Sequence, residues 1–175
     1  HKRNRSKRKR SLVPHLPKPR PKPSASNEYL APHVSHLLRS YHQLTGRHLI
    51  EPTDDATKMA ELVNDAPFFV ASHGLEKDPI LNYGNRCALE LFAMSWHEFT
   101  RTPSRYTAEA PIREERERLL NHVPAKGYID DYSGVRISSD GKRFRITQAT
   151  VWNVYDLEGD KIGQAATFSE WSHLE

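Results

Sequence analysis

The chain has 175 residues, 26 Lys and Arg against 22 Asp and Glu, and a single cysteine, Cys87. That length supports one domain with a real core. Lone Cys87 excludes an internal disulfide or a multi-thiolate metal site, and no apolar run reaches the roughly 18 residues of a membrane-spanning helix. The net charge of +4 conceals an asymmetry: residues 1–33 hold ten bases and one acid, a net +9, whereas residues 34–175 hold 16 bases and 21 acids, a net −5.

Residues 1–33 read as an extended basic arm. KRNRSKRKR (2–10) has no apolar side chain to offset the entropy of ordering, and the alternate prolines of Pro17–Pro23 favour a polyproline-like rod. The bases Lys2, Arg3, Arg5, Lys7, Arg8, Lys9, Arg10, Lys18, Arg20 and Lys22 are the candidate nucleic-acid-binding residues. No aromatic occurs in residues 1–28, so the expected contact is with phosphates rather than stacked bases. The plain alternative is a solvated leader. KRKR (7–10) also resembles a nuclear address, and the acid-poor Arg/Ser/Pro composition resembles the remnant of an organellar transit peptide.

The second unit, residues 34–175, opens with Val34, Leu37, Leu38, Tyr41 and Leu44 at helical spacing, ending near Gly46. A second helix is predicted from Asp54 to about Asn64. Ala66–Ala71 and Pro79–Tyr83 are short strands joined at hairpin length. Asn85 opens a helix through NRCALELFAM, a short helix follows at Trp96–Phe99, and another runs from Pro111 to His122. Three long strands close the chain: Tyr128–Ser138, Arg143–Tyr155 and Lys161–Trp171, joined by Asp/Gly turns. This order predicts an α+β domain, a five-stranded antiparallel sheet with helices on one face, preceded by the N-terminal helices and the arm.

The order β-β-helices-β-β-β resembles the PAS arrangement. SHGLEKDPILNYGN (72–85), MSWHEFTRTPSRYTAE (94–109), GYIDDYSGVRISSDGKRFRI (127–146) and ATVWNVYDLEGDKIGQAATFSEW (149–171) closely resemble the MEKHLA domain, a PAS-related module. The resemblance covers about residues 36–175. With no homeodomain or zipper heptads present, it is to the free-standing type, and it implies a pocket between sheet and helices and a role in regulated dimerisation.

Strict alternation along Arg143–Tyr155 puts Phe144, Ile146, Gln148, Thr150, Trp152 and Val154 on one face. Gln164 shares a face with Ile162, Ala166 and Phe168. Gln148, Trp152 and Gln164 are therefore candidate pocket residues, the two amides serving either as satisfied core groups or as an orienting pair for a planar ligand such as flavin. No cofactor is otherwise expected. In the similar LOV photoreceptors the reactive cysteine lies in a short helix before an Arg and an aromatic. Here that place falls in Pro103-Ser104-Arg105-Tyr106, so Ser104 stands where the thiol belongs, and a hydroxyl cannot replace a thiolate. Cys87 is expected as a small buried thiol on its helix.

Ten histidines include pairs at His33/His36 and His42/His48 without accompanying acids or thiols, so no metal site is expected; His73 is read as a turn residue. Asp130 and Asp131 are strand neighbours pointing to opposite faces, and no nucleophile elbow or phosphate loop occurs, so no enzymatic activity is expected. The leading expectation is an accessory protein docked by its arm onto the RNA phosphate backbone and protein subunits of a larger assembly, such as a plastid ribosome. The alternatives are a bacterial cytoplasmic location and a small-molecule, light or redox sensor whose sheet face transmits by dimerisation.

Overall fold

A computed structural model describes residues 20–110, 119 and 123–175. Helix α1 (Ala31–Thr45) starts with proline in its first turn, where a missing N–H costs nothing, and stops at Gly46, whose φ of 74° lets its N–H reach the His42 carbonyl. Helix α2 (Ala56–Asp65) is capped by the Asp55 carboxylate, which accepts the Lys58 N–H at 3.1 Å. Strands β1 (Phe69–His73) and β2 (Leu81–Gly84) form a hairpin. Helices α3 (Arg86–Phe92) and α4 (Trp96–Phe99) follow, then a 3-10 turn at Ser104–Thr107. Leu119 and residues 123–126 are helical; the rest of the helix predicted from Pro111 to His122 lies outside the described residues. Strands β3 (Tyr128–Ile137), β4 (Arg143–Tyr155), β5 (Lys161–Phe168) and β6 (Glu170–His173) complete the chain.

The strands make one antiparallel sheet in the order β2-β1-β5-β4-β3, with β6 on the first half of β4. The strand expected from Lys161 to Trp171 is divided at Ser169. Both pieces keep one register on β4, Thr150 opposite Thr167 and Thr147 opposite Glu170. The break falls opposite Gln148, whose φ is 52°.

Gln148 also changes which side chains share a face. Tyr132 pairs with Ala149 and Gly134 with Ile146, so Thr147 and Gln148 together oppose the single Ser133. This is a β-bulge, and one extra residue inverts the alternation beyond it. Phe144 and Ile146 share a core with Ala149 and Val151, while Trp152 and Val154 pack on the opposite side. The uninterrupted alternation expected for β4 is thereby corrected.

The sheet separates two cores. Phe69, Ala71, Leu81, Tyr132, Phe144, Ile146, Val151 and Phe168 meet α3 and the ring of Phe99 on one side. Val70, Tyr83, Trp152, Val154 and Ala165 meet α1 and α2 on the other. Helices α1 and α2 therefore cover the part of the sheet around Val70, Trp152, Val154 and Ala165, while Arg143, Arg145, Glu170 and Ser172 stay exposed. Trp152 Nε1 donates to the Leu37 carbonyl at 3.2 Å, and its ring meets Tyr41 edge-on at 5.0 Å.

The first stretch of the described chain also departs from the expected arm. Trp96 Nε1 donates to the Arg20 carbonyl at 2.8 Å, Pro23 is buried, and Ala25–Leu30 forms 3-10 turns leading into α1. Tyr29 and Leu30 pack against the α1 core, and these apolar contacts offset the entropy of ordering this stretch. No helix among the described residues is long and apolar enough to cross a membrane.

Candidate functional site

A cavity of about 270 Å³ lies on the inner face of the sheet. Phe69 and Ala71 of β1, Ile146, Ala149 and Val151 of β4, and Ala166 and Phe168 of β5 form its apolar wall. The segment 103–108 straps across it. Pro103 bridges to Ile80 beside β2, and Ala108 bridges to Arg136 on β3, so the strap is fixed at both edges of the sheet. The Ser104 N–H donates to the Pro79 carbonyl at 2.8 Å, and the Thr107 hydroxyl donates to the Ser104 carbonyl at 2.7 Å.

Polar groups sit at the ends of this apolar wall. Gln164 is the cross-strand partner of His73, and both line the cavity. Gln164 Nε2 donates to Asn153 Oδ1 at 3.4 Å across β5 and β4. The Ser104 side chain lines the cavity from the strap, beside Arg105. The Arg105 guanidinium donates to both carboxylate oxygens of Asp78 at 3.1 Å, and this raises its pKa further. Arg136 lies at the β3 end, with its guanidinium 5.5 Å from the centre of the Tyr132 ring. Gly134, between them on the same strand face, leaves room for that ring: a Cβ there would stand 2.8 Å from the Tyr132 hydroxyl.

Of the four pocket residues expected, the structure brings Ser104 and Gln164 together on one cavity. Gln148 is exposed because of the bulge, and Trp152 belongs to the α1 core because the same bulge reverses its face. The expected pair of amides is thus not formed, and a flavin ring would meet one wall amide, Gln164. Cys87, expected buried, is half-buried on α3 with Sγ 3.9 Å from the Pro67 carbonyl, and burial pushes its thiol up, with Glu90 adding to the effect. No thiol lines the cavity, so the adduct chemistry that Ser104 argued against has no nucleophile here.

Sequence reading missed His73, Thr107, Tyr132 and Arg136 as cavity residues. The period-two series Tyr132, Gly134, Arg136 was the available signal, an aromatic, a gap and a cation on one face of a strand.

Among the arm residues, Lys2, Arg3, Arg5, Lys7, Arg8, Lys9, Arg10 and Lys18 lie outside the described residues. Arg20 and Lys22 are exposed at the root. Among the described residues one acidic group, Asp156, Glu158 and Asp160, gathers three carboxylates within 4.8 Å in the β4–β5 turn. Asp156 Oδ1 accepts the Glu158 and Asp160 N–H groups, which is ordinary turn chemistry.

Solved structures share this fold at low identity. The PAS domain of a protein from Colwellia psychrerythraea aligns with a TM-score of 0.54 at 13% identity, over 69% of this chain and 98% of that one. The light-state dimer of the fungal blue-light photoreceptor Vivid aligns at 0.55 and 13%, over 78% and 93%. A light-oxygen-voltage domain studied with a flavin analogue aligns at 0.52 and 13%, over 67% and 85%. No curated protein matches the sequence. The family model described as the MEKHLA domain matches residues 31–173.

Proposed function

Since the chain belongs to the MEKHLA domain family, whose PAS-type fold serves sensors and interaction modules, we propose that it is a non-enzymatic sensor whose cavity takes a small, largely apolar molecule. The observation carrying this reading is the cavity itself, apolar along its wall, strapped at both edges and polar at its ends. Its volume lies just below the range usual for small-molecule sites, which suits a compact ring system. Flavin is one ligand of the class; it would supply light absorption or electron transfer, and Gln164 is the side chain placed to orient it.

Native mass spectrometry and a visible spectrum of the purified chain test this. A bound mass or chromophore that is lost in Ala166→Phe, which fills the cavity wall, is the expected result. A wild-type chain that binds nothing from a small-molecule panel, with Ala166→Phe indistinguishable from it, would sink the proposal.

A second reading concerns the arm. Arg20 is anchored through its carbonyl to Trp96, so the bases before it depart from a fixed point on the domain. We propose that they hold a polyanion, RNA in a plastid nucleoprotein assembly such as a ribosome being the partner that the charge pattern suits. Removing residues 1–19 should abolish retention on RNA and its salt dependence. Unchanged retention of the shortened chain rejects the idea.

A further inference from the structure

The cavity carries a charge asymmetry that narrows its ligand. Among the described residues lining it there is no Asp or Glu, whereas there are two arginines. Arg105 is neutralised by its two bonds to Asp78. Arg136 is not: among the described residues no carboxylate pairs with it, and its face is occupied only by the Tyr132 ring. It is also half-buried, so water screens it less than a surface cation. A guanidinium lying over an aromatic ring keeps its N–H edge free for a planar, two-oxygen acceptor.

The opposite, β1–β2 side of the cavity has a different chemistry. His73 Nδ1 lies 2.9 Å from the Gly74 carbonyl and, since a carbonyl oxygen only accepts, donates to it. The Ser104 hydroxyl and the Gln164 amide add neutral donors and acceptors on that side. Ser104 follows the bridge beside β2, while Arg136 forms the bridge on β3, the other edge of the sheet. Between the two ends the wall is aliphatic and aromatic.

From this placement we propose that the ligand is an organic monoanion: a compact apolar body whose carboxylate, or an equivalent oxyanion, pairs with Arg136. The inference rests on the cavity being a small-molecule site and adds the charge and orientation of what it holds. Arg136 is the specificity-determining residue, and the polar end formed by His73, Gln164 and Ser104 sets which apolar bodies fit.

Calorimetric titration of the full chain with 2-naphthoate and 2-naphthamide tests it, since the two share a body and differ in charge. Naphthoate is expected to bind about tenfold more tightly or better, as a charge-assisted bidentate pair would give. Arg136→Gln should remove that preference, bringing naphthoate down to the affinity of naphthamide measured on the same variant. Arg136→Lys, which keeps the charge and the strand, should retain part of it, and Ala166→Phe should abolish both ligands. Equal affinity for the two probes in the wild type, or a preference that survives Arg136→Gln, overturns the anion proposal while the cavity reading stands. Failure of both probes and of the wider panel overturns the cavity reading and the inference with it.

Discussion

Asn85 joins three pieces of chain through one side chain. Its Oδ1 accepts the Ala88 N–H at 3.0 Å, capping α3, and also the Val70 N–H at 3.2 Å. Its Nδ2 donates to the Val63 carbonyl at the end of α2 and to the Phe68 carbonyl before β1, at 3.0 and 2.8 Å. The residue is fully buried, so no water can replace a lost partner. Asn85→Ala should therefore lose about 3 kcal/mol, the cost of several buried polar groups left unpaired, read from the denaturant midpoint at constant slope. Asn85→Asp should be at least as damaging, because a carboxylate would face two carbonyl oxygens. Loss of less than about 1 kcal/mol in both would show that the bonds do not hold these segments. The capping role was legible in the sequence, since Asn before an apolar helix is a common start signal. The bonds to Val63 and Phe68 were not, because they depend on where distant segments arrive. Gln148 marks the opposite case: nothing in a run of good strand formers announces a bulge, and one positive φ displaced both Gln148 and Trp152 from their expected places.

At the level of elements, α1 is joined to the sheet by a buried polar contact beside its apolar stripe. His33 Nε2 lies 2.9 Å from the Ser72 hydroxyl, which itself donates to Asn82 Oδ1 at 2.6 Å. His33 is thus the donor, and it stays neutral: burial holds its pKa down at about 3, with Arg20 and His36 adding to the effect. The Tyr83 ring lies 5.7 Å away, and its buried hydroxyl has no partner among the described residues. In the unfolded chain His33 takes a proton near its ordinary pKa of 6.5, so the unfolded state binds more protons between that value and about pH 3. The stability tied to neutral His33 is fully present above pH 6.5 and declines as the pH falls, by about 1.4 kcal/mol per unit. His33→Gln should flatten this slope between pH 6.5 and 4.5 in equilibrium unfolding, and an unchanged slope would show that other groups carry it. The helix and its end at Gly46 were plain from apolar spacing. Its docking site was not, because amphipathicity says that a face is covered without saying by what.

Across the whole molecule, helices cover both sides of the sheet in part, while Arg143 and Arg145 of β4 and Glu170 and Ser172 of β6 stay exposed. Helices α1 and α2 lie on one side, and α3, α4 and the 103–108 strap lie on the other. Deleting residues 1–45 should uncover Trp152, Val154, Val70 and Ala165 together, a contiguous apolar surface of the kind that drives self-association. Sedimentation of that truncated chain should show dimers or larger species at concentrations where the full chain sediments as a smaller one. Identical behaviour of the two would mean that α1 is not the cover it is taken to be. The PAS-like strand and helix order was readable from the sequence. Which side each helix takes was decided by tertiary packing.

Strand β5 belongs to both halves of the molecule at once. Gln164, Ala166 and Phe168 face the cavity, and Ala165, between two of them, is packed against the α1 core. Gly163 presses so closely on the His73 carbonyl that a Cβ would stand 2.1 Å from it, so β5 and β1 have little freedom to slide independently. A single ribbon therefore acts as a partition, with the cavity on one side and α1 on the other. Were a ligand in the cavity to reshape β5, the docking of α1 and the affinity of the cavity would be linked reciprocally. Since α1 leads back to the anchored Arg20, such a partition would let a chemical event inside the domain be felt where the basic leader departs.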